Sequence, residues 1–197
     1  MSQLTFDGAT HTYRYEGHVI PSVTQVIREA GMMSPFGLDD AAALFGTAVH
    51  AAILGNGNTD DMLKPYVKAW EKFLRERDLR LIAGWNERIV AGPCYRYAGR
   101  VDCVADDTDG ELMVLDIKTG SPAPWHLVQV AAYIQAAVQQ LDARHGVRGA
   151  VVYLAMDGDY RFRAFEDIIA IERNYQIFSD ACNVWWWREK HGLRRSE

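Results

Sequence analysis

One run of residues constrains the fold more than any other: YAGRVDCVADDTDGELMVLDIKTG, from Tyr97 to Gly120. Two apolar, β-rich segments flank the acidic turn DDTDG, so the run reads as an antiparallel hairpin. Side chains along a strand alternate between faces. Asp116 and Lys118 therefore share one face, and Leu115 and Ile117 share the other. On the preceding strand Arg100, Asp102 and Val104 lie together. A register centred on Asp109 sets Asp102 opposite Asp116. Two carboxylates facing each other across a ladder repel. A divalent cation between them removes the repulsion, and hard cations such as Mg2+ favour carboxylate oxygens, water and phosphate. Lys118 beside such an ion can orient or help deprotonate a water and can stabilise charge on a phosphate. The set suits phosphodiester hydrolysis. Taken alone, Asp-x-Lys at a strand end is more often a solvated edge, and Asp102 could instead pair with Arg100 or Arg88.

The rest of the chain supplies the setting. No repeat, low-complexity tract or linker divides the 197 residues, so 1–197 is expected to form a single domain. In it an N-terminal hairpin and helices (1–80) pack on a catalytic core (81–197). Leu4 to Ile20 alternates as short strands. Helices are expected at Val23–Ala30 with Ser22 as cap, at Ala41–Leu54 after Asp39-Asp40, and at Lys64–Arg77 with Pro65 in the first turn. Strands are expected at Leu79–Val90 and Tyr95–Ala105 ahead of the acidic turn. A helix from Pro124 to Arg144 follows the hairpin. Strands at Val147–Ala155 and Tyr160–Phe165 and a helix at Asp167–Lys190 complete the order. This is an α/β fold with a mixed central β-sheet flanked by helices.

Charge and cysteine content limit the chemistry. The formal net charge is −5, which excludes a broad basic surface but not a local basic groove. Cys94, Cys103 and Cys182 form no CxxC pair, so a zinc ribbon is not expected. No signal-type apolar run and no membrane-span-length stretch is present, and a cytoplasmic protein is expected (in the host cytoplasm if phage-encoded).

Several short motifs stand in order along the chain: PSVT (21–24), GTAVH (46–50), NERIV (86–90), GRVD (99–102), LDIKTG (115–120) and QVAAY (129–133). Together they resemble the RecB-like exonuclease branch of the PD-(D/E)XK nuclease superfamily. PSVT is similar to the mitochondrial genome-maintenance exonuclease and related phage nucleases. The resemblance implies a restriction-endonuclease-like PD-(D/E)XK core. It makes Asp102 and Asp116 metal ligands, with the carbonyl of Ile117 as a further ligand and Lys118 as the catalytic lysine. It also brings the helix histidine His50 to the metal, and a nitrogen ligand tilts the choice between Mg2+ and Mn2+ towards Mn2+. Glu87 matches an upstream acidic position that either binds a second metal or pairs with a neighbouring arginine. Gln129 and Tyr133, one helical turn apart, and Thr119 would contact DNA or support the site.

The activity so implied is a metal-dependent DNA exonuclease in recombination, repair or phage DNA processing. DNA is the expected partner, with a single-strand annealing protein by analogy. The alternatives are a non-catalytic DNA-binding or scaffolding module, or an endonuclease with the same chemistry. Relatives with an iron–sulfur cluster carry four cysteines, so no cluster is expected here. Of Trp185, Trp186 and Trp187, one or two should cover the core. Arg188, Lys190, Arg194 and Arg195 read as solvated charge. His11, His18 and His126 have no ligand-like spacing, though His126 lies near enough to the motif face to meet DNA.

Overall fold

The computed structural model of the chain describes residues 3–33, 40–55, 60–141 and 146–193. The chain opens with three short strands, β1 (Leu4–Asp7), β2 (Thr12–Tyr15) and β3 (His18–Ile20), followed by the helices α1 (Val23–Glu29), α2 (Asp40–Ile53) and α3 (Lys64–Glu76). Next come β4 (Arg80–Leu81), β5 (Arg88–Ala91), β6 (Ala98–Val101), β7 (Cys103–Asp106) and β8 (Leu112–Lys118). The helix α4 (Trp125–Ala137), the strands β9 (Val147–Leu154) and β10 (Tyr160–Ala164), and the helix α5 (Ile168–Lys190) end the order.

The central sheet has five strands in the order β10-β9-β8-β7-β4, with β8 and β9 parallel and the other pairs antiparallel. Only a crossover can join parallel neighbours, and α4 is that crossover. Helices cover both faces. Val104, Val114 and Val151 pack under α1, α4 and α5. Cys103, Leu115, Ile117 and Val152 pack with Val49 of α2 and with Trp70 and Phe73 of α3. The mixed α/β sheet expected from the sequence is therefore present. The apolar stripe of α3 explains its place: burying Phe73 completely is worth about 1.5–3 kcal/mol relative to exposure.

The cap expected for α1 is present, whereas Asp40, expected ahead of α2, is its first residue. Ser22 caps α1 by accepting from the Gln25 N–H. Asp167 caps α5 in the same way through the Ala170 N–H. Three expectations need correction. The segment Tyr95–Ala105 is two strands, because the chain leaves one sheet and enters another at Asp102: β6 pairs with β5, and β7 with β8 and β4. The segment Leu79–Val90 holds only β4 and the start of β5. α4 ends at Ala137, where a tighter turn closes from the Gln140 N–H to the Ala137 carbonyl. Asp39, the end of the expected α4 at residues 142–144, and Arg194 and Arg195 lie outside the described residues. Among the described residues no helix is long and apolar enough to cross a membrane.

The tryptophan triplet divides as a helix requires. Trp185 is buried, Trp186 donates to the Arg96 carbonyl at 2.8 Å, and Trp187 is more than half exposed.

The GRVD glycine has a packing reason. A β-carbon on Gly99 would sit 2.6 Å from the Tyr133 ring and 3.3 Å from Val23. Gly99→Ala is expected to destabilise the protein by about 1–3 kcal/mol, read by denaturant unfolding. An unchanged midpoint would show that the Tyr133 ring moves freely.

Candidate active site

The ladder between β7 and β8 runs from Cys103 opposite Leu115 to Asp106 opposite Leu112. This is the register expected from the sequence. One step beyond the Cys103–Leu115 pair, away from the turn, Asp102 stands beside Asp116. β6 has already turned away towards β5, so Ile117 meets no strand on that side. Side chains take its polar groups instead. Asp102 Oδ2 accepts the Ile117 N–H at 2.7 Å, and His50 Nε2 donates to the Ile117 carbonyl at 2.9 Å.

The second nitrogen of His50 faces two carboxylates. Its Nδ1 lies 3.5 Å from Glu87 Oε1 and 3.6 Å from Asp102 Oδ1. One ligand atom from each of His50, Glu87 and Asp102 can be chosen so that all lie within 4.8 Å of one another. Glu87 reaches this position from a left-handed backbone, with φ of 51°. Its N–H donates to the Asp102 carbonyl at 2.8 Å, and its carboxylate pairs with Arg100 Nε at 2.6 Å. A non-glycine residue held in this region stores about 1–3 kcal/mol of strain, a feature concentrated at functional sites. Arg88, the alternative partner weighed for Glu87 and Asp102, instead lies over the Trp85 ring.

Burial of the His50 ring opposes its charge, but Asp102 and Glu87 outweigh it and push the pKa up to about 9. The ring is thus a cation at neutral pH, seated between two acids. Asp116 is 1% exposed. Burial pushes its carboxyl above the ordinary range and Asp102 adds to this, while Lys118 opposes it. Lys118 Nζ bonds to Oδ1 at 2.9 Å and lies 2.8 Å from Oδ2, yet Oδ2 is buried without a hydrogen bond among the described residues. Burial works against the Lys118 charge, but Asp116 and Asp102 hold its pKa above the ordinary lysine value.

α4 closes the site from above. Gln129 donates from Nε2 to Thr24 Oγ1 at 3.4 Å and to the Tyr133 hydroxyl at 3.3 Å, and its Oε1 is buried without a partner among the described residues. Burial, with Asp116 and Asp102 nearby, raises the Tyr133 pKa, so the ring stays a neutral phenol. Thr119 Oγ1 lies against Gly46 of α2, 3.8 Å from where a β-carbon would stand. The structure thus gathers His50, Glu87, Asp102, Asp116, Ile117 and Lys118 around the end of β8, with Gln129 and Tyr133 buried on the α4 side and Thr119 against α2.

His126 corrects one expectation. It is buried, accepts from the Ala123 N–H and bonds the Tyr153 hydroxyl, so it has no open face for DNA. Burial and Lys118 push its pKa down to about 4, which keeps it neutral. Sequence reasoning missed Thr24 as a partner of the site, and it offered Arg100 to Asp102, whereas Arg100 pairs with Glu87. The T of PSVT was the signal for the first. For Arg100 it was alternation, which sets that side chain on the face of Asp102.

A family model described as the PD-(D/E)XK nuclease superfamily matches residues 54–176. The chain belongs to the PD-(D/E)XK nuclease superfamily. Within that span lie Glu87, Asp102, Asp116, Lys118, Gln129 and Tyr133, while His50 and Thr24 precede it. Among solved structures, a candidate exonuclease from Eubacterium rectale is 12% identical, with a TM-score of 0.50 over 91% of this chain and 77% of that one. An alkaline exonuclease from Laribacter hongkongensis is 13% identical, with a TM-score of 0.40 over 89% of this chain and 95% of that one. No curated protein matches the chain.

The His50 shift has a defined sign. A raised pKa contributes stability that is fully present below about pH 6.5 and is lost as pH rises through about 9, a contribution of about 3 kcal/mol. In chelator-treated protein the His50 ring resonance should therefore titrate near pH 9. A midpoint near 6.5 would remove the imidazolium–carboxylate contact from the account.

Proposed function

We propose that the protein is a metal-dependent DNA exonuclease that hydrolyses phosphodiester bonds. One observation carries the reading: His50, Glu87 and Asp102 can each offer one ligand atom within 4.8 Å of the others, and the buried Asp116 carboxylate, paired with Lys118, stands next to Asp102. Such a donor set, rich in oxygen with one nitrogen, fits a divalent cation better than it fits itself. Asp102, Asp116, Glu87, His50 and the Ile117 carbonyl would hold Mg2+ or Mn2+, and the imidazole favours Mn2+. When bound, such an ion lowers the pKa of water and polarises a phosphoryl oxygen.

The protein's own groups divide the remaining work. Lys118, held charged by Asp116 and Asp102, is suited to stabilising negative charge on the phosphate rather than to taking a proton. The Ile117 peptide, tied by Asp102 and His50, fixes where these groups point. The neutral Tyr133 and the Gln129 amide, anchored on Thr24, are buried and would support the acids from the α4 side without touching the substrate. The exonuclease mode rests on the ordered motifs from PSVT to QVAAY. A setting in recombination, repair or phage DNA processing, with a single-strand annealing protein as partner, rests on that resemblance alone.

End-labelled linear DNA should be degraded with Mn2+ or Mg2+, while closed circular DNA of the same sequence should persist. Cutting of the circle would assign an endonuclease, and no digestion of either strand state with either metal would remove the enzyme reading. Asp116→Asn and Lys118→Ala should each lower cleavage by about 10²-fold or more with an unchanged circular dichroism spectrum. Retained activity in either variant would take that residue out of the chemistry.

A further inference from the structure

A protein with a formal charge of −5 must hold a polyanion through a local feature, and the sheet provides one outside the site described above. β10 is the edge of the five-stranded sheet. Tyr160, Phe162 and Ala164 pack into the core under α3. Alternation therefore points Arg161 and Arg163 to the opposite face, the face of Asp116, Lys118 and α4. The register places them in rows. Lys118 stands beside Tyr153, and Tyr153 beside Arg161; Asp116 stands beside Val151, and Val151 beside Arg163. At about 4.8 Å per strand, Arg161 lies about 10 Å across the sheet from the catalytic lysine.

Both arginines are exposed, and among the described residues neither makes a hydrogen bond or ion pair. Their influence still reaches inward: both depress the Tyr153 phenol pKa, against burial and Asp116, and Arg163 also acts on His126. The nearest turn acids do not neutralise them. Asp159 is taken by Lys72 at 3.0 Å on the other face, and Asp157 accepts the Asp159 N–H. At the Lys118 end of the row stands Trp125, half-buried, with Lys118 Nζ 6.0 Å from its ring centre. Unneutralised guanidiniums at the two-residue repeat of a strand, with an indole at the lysine end of the row, make a surface for a phosphate chain with its bases alongside.

We propose that Arg161, Arg163 and Trp125 form a track that carries the sugar–phosphate backbone of the substrate strand between Lys118 and the β10 edge of the sheet. The proposal rests on the reading of the site as a DNA-cleaving centre. The arginines contact phosphates beyond the scissile one, and the indole stacks on a base. The track acts on binding of polymeric substrate, not on bond cleavage.

The test uses the intact protein and a fluorescein-labelled single strand in Ca2+, with anisotropy followed between about 50 and 200 mM salt. Each phosphate contact contributes about 0.7 to the salt slope on a single strand, so Arg161→Ala/Arg163→Ala should lower it by about 1.4. Affinity at the low-salt end should fall about tenfold or more. Arg75→Ala/Arg173→Ala removes the same charge from other exposed positions and should leave the slope unchanged. Trp125→Phe should keep affinity and Trp125→Ala should lose it. Hydrolysis of bis(p-nitrophenyl) phosphate, too small to reach the track, should be equal in wild type and the Arg161/Arg163 variant. An unchanged slope in that variant, or an equal drop in the control pair, overturns the track. A wild type that binds with the expected slope but cleaves neither DNA nor the small diester overturns the enzyme reading and leaves the track standing.

Discussion

The peptide of Ile117 is held from one side by two side chains, and the site exists because of that. In a strand the N–H and C=O of one residue point the same way. For Ile117 they point towards the place that β6 vacates when it turns to pair with β5. A buried peptide left unpaired there would cost about 1–3 kcal/mol per group. The Asp102 carboxylate and the His50 ring occupy the gap at 2.7 and 2.9 Å. The strand switch and the convergence of ligands are therefore one event. The same carboxylate that completes the sheet stands beside Asp116, and the same ring that caps the carbonyl faces Glu87.

Electrostatics explains why so acidic a cluster tolerates its own charge. Glu87, Asp102 and Asp116 crowd one end of β8, and each receives a cation from a different element: Arg100 from β6, His50 from α2 and Lys118 from β8 itself. Raised to about 9, the imidazolium is still the member of this set that gives up its charge at the lowest pH. On the proposed reading, a metal ion entering the site would take over its role of separating the acids, and proton release and ion uptake would then be coupled through a single ring.

Much of this was legible in the sequence because it follows from a period of two. The hairpin register, the shared face of Asp116 and Lys118, and the burial of Leu115 and Ile117 on the opposite face all come from alternation around one acidic turn. The ordered motifs added His50, Glu87 and the α4 pair. The break at Asp102 was hidden, since Tyr97 to Asp106 has the composition of one strand and only the rival sheet divides it. The burial of His126 was hidden for a related reason. Its partner Tyr153 is 27 residues away, on a strand whose place beside β8 is set by the α4 crossover. Arg161 and Arg163 carry no local signal either, because their meaning comes from lateral neighbours two strands away.

The turn that closes the hairpin bears on how this chain can vary. Asp107 binds the N–H groups of Asp109 and Glu111 through Oδ1, and Gly110 takes a left-handed φ of 77°. The turn is exposed and about 17 Å of strand from Asp102, the kind of place where insertions are usually harmless. Here it works as the zero mark of a ruler. A slip of one residue at that mark turns Asp102 to the opposite face of the sheet, away from Ile117, His50 and Asp116 together. The register set at this surface turn is thus felt by a site at the other end of the strands.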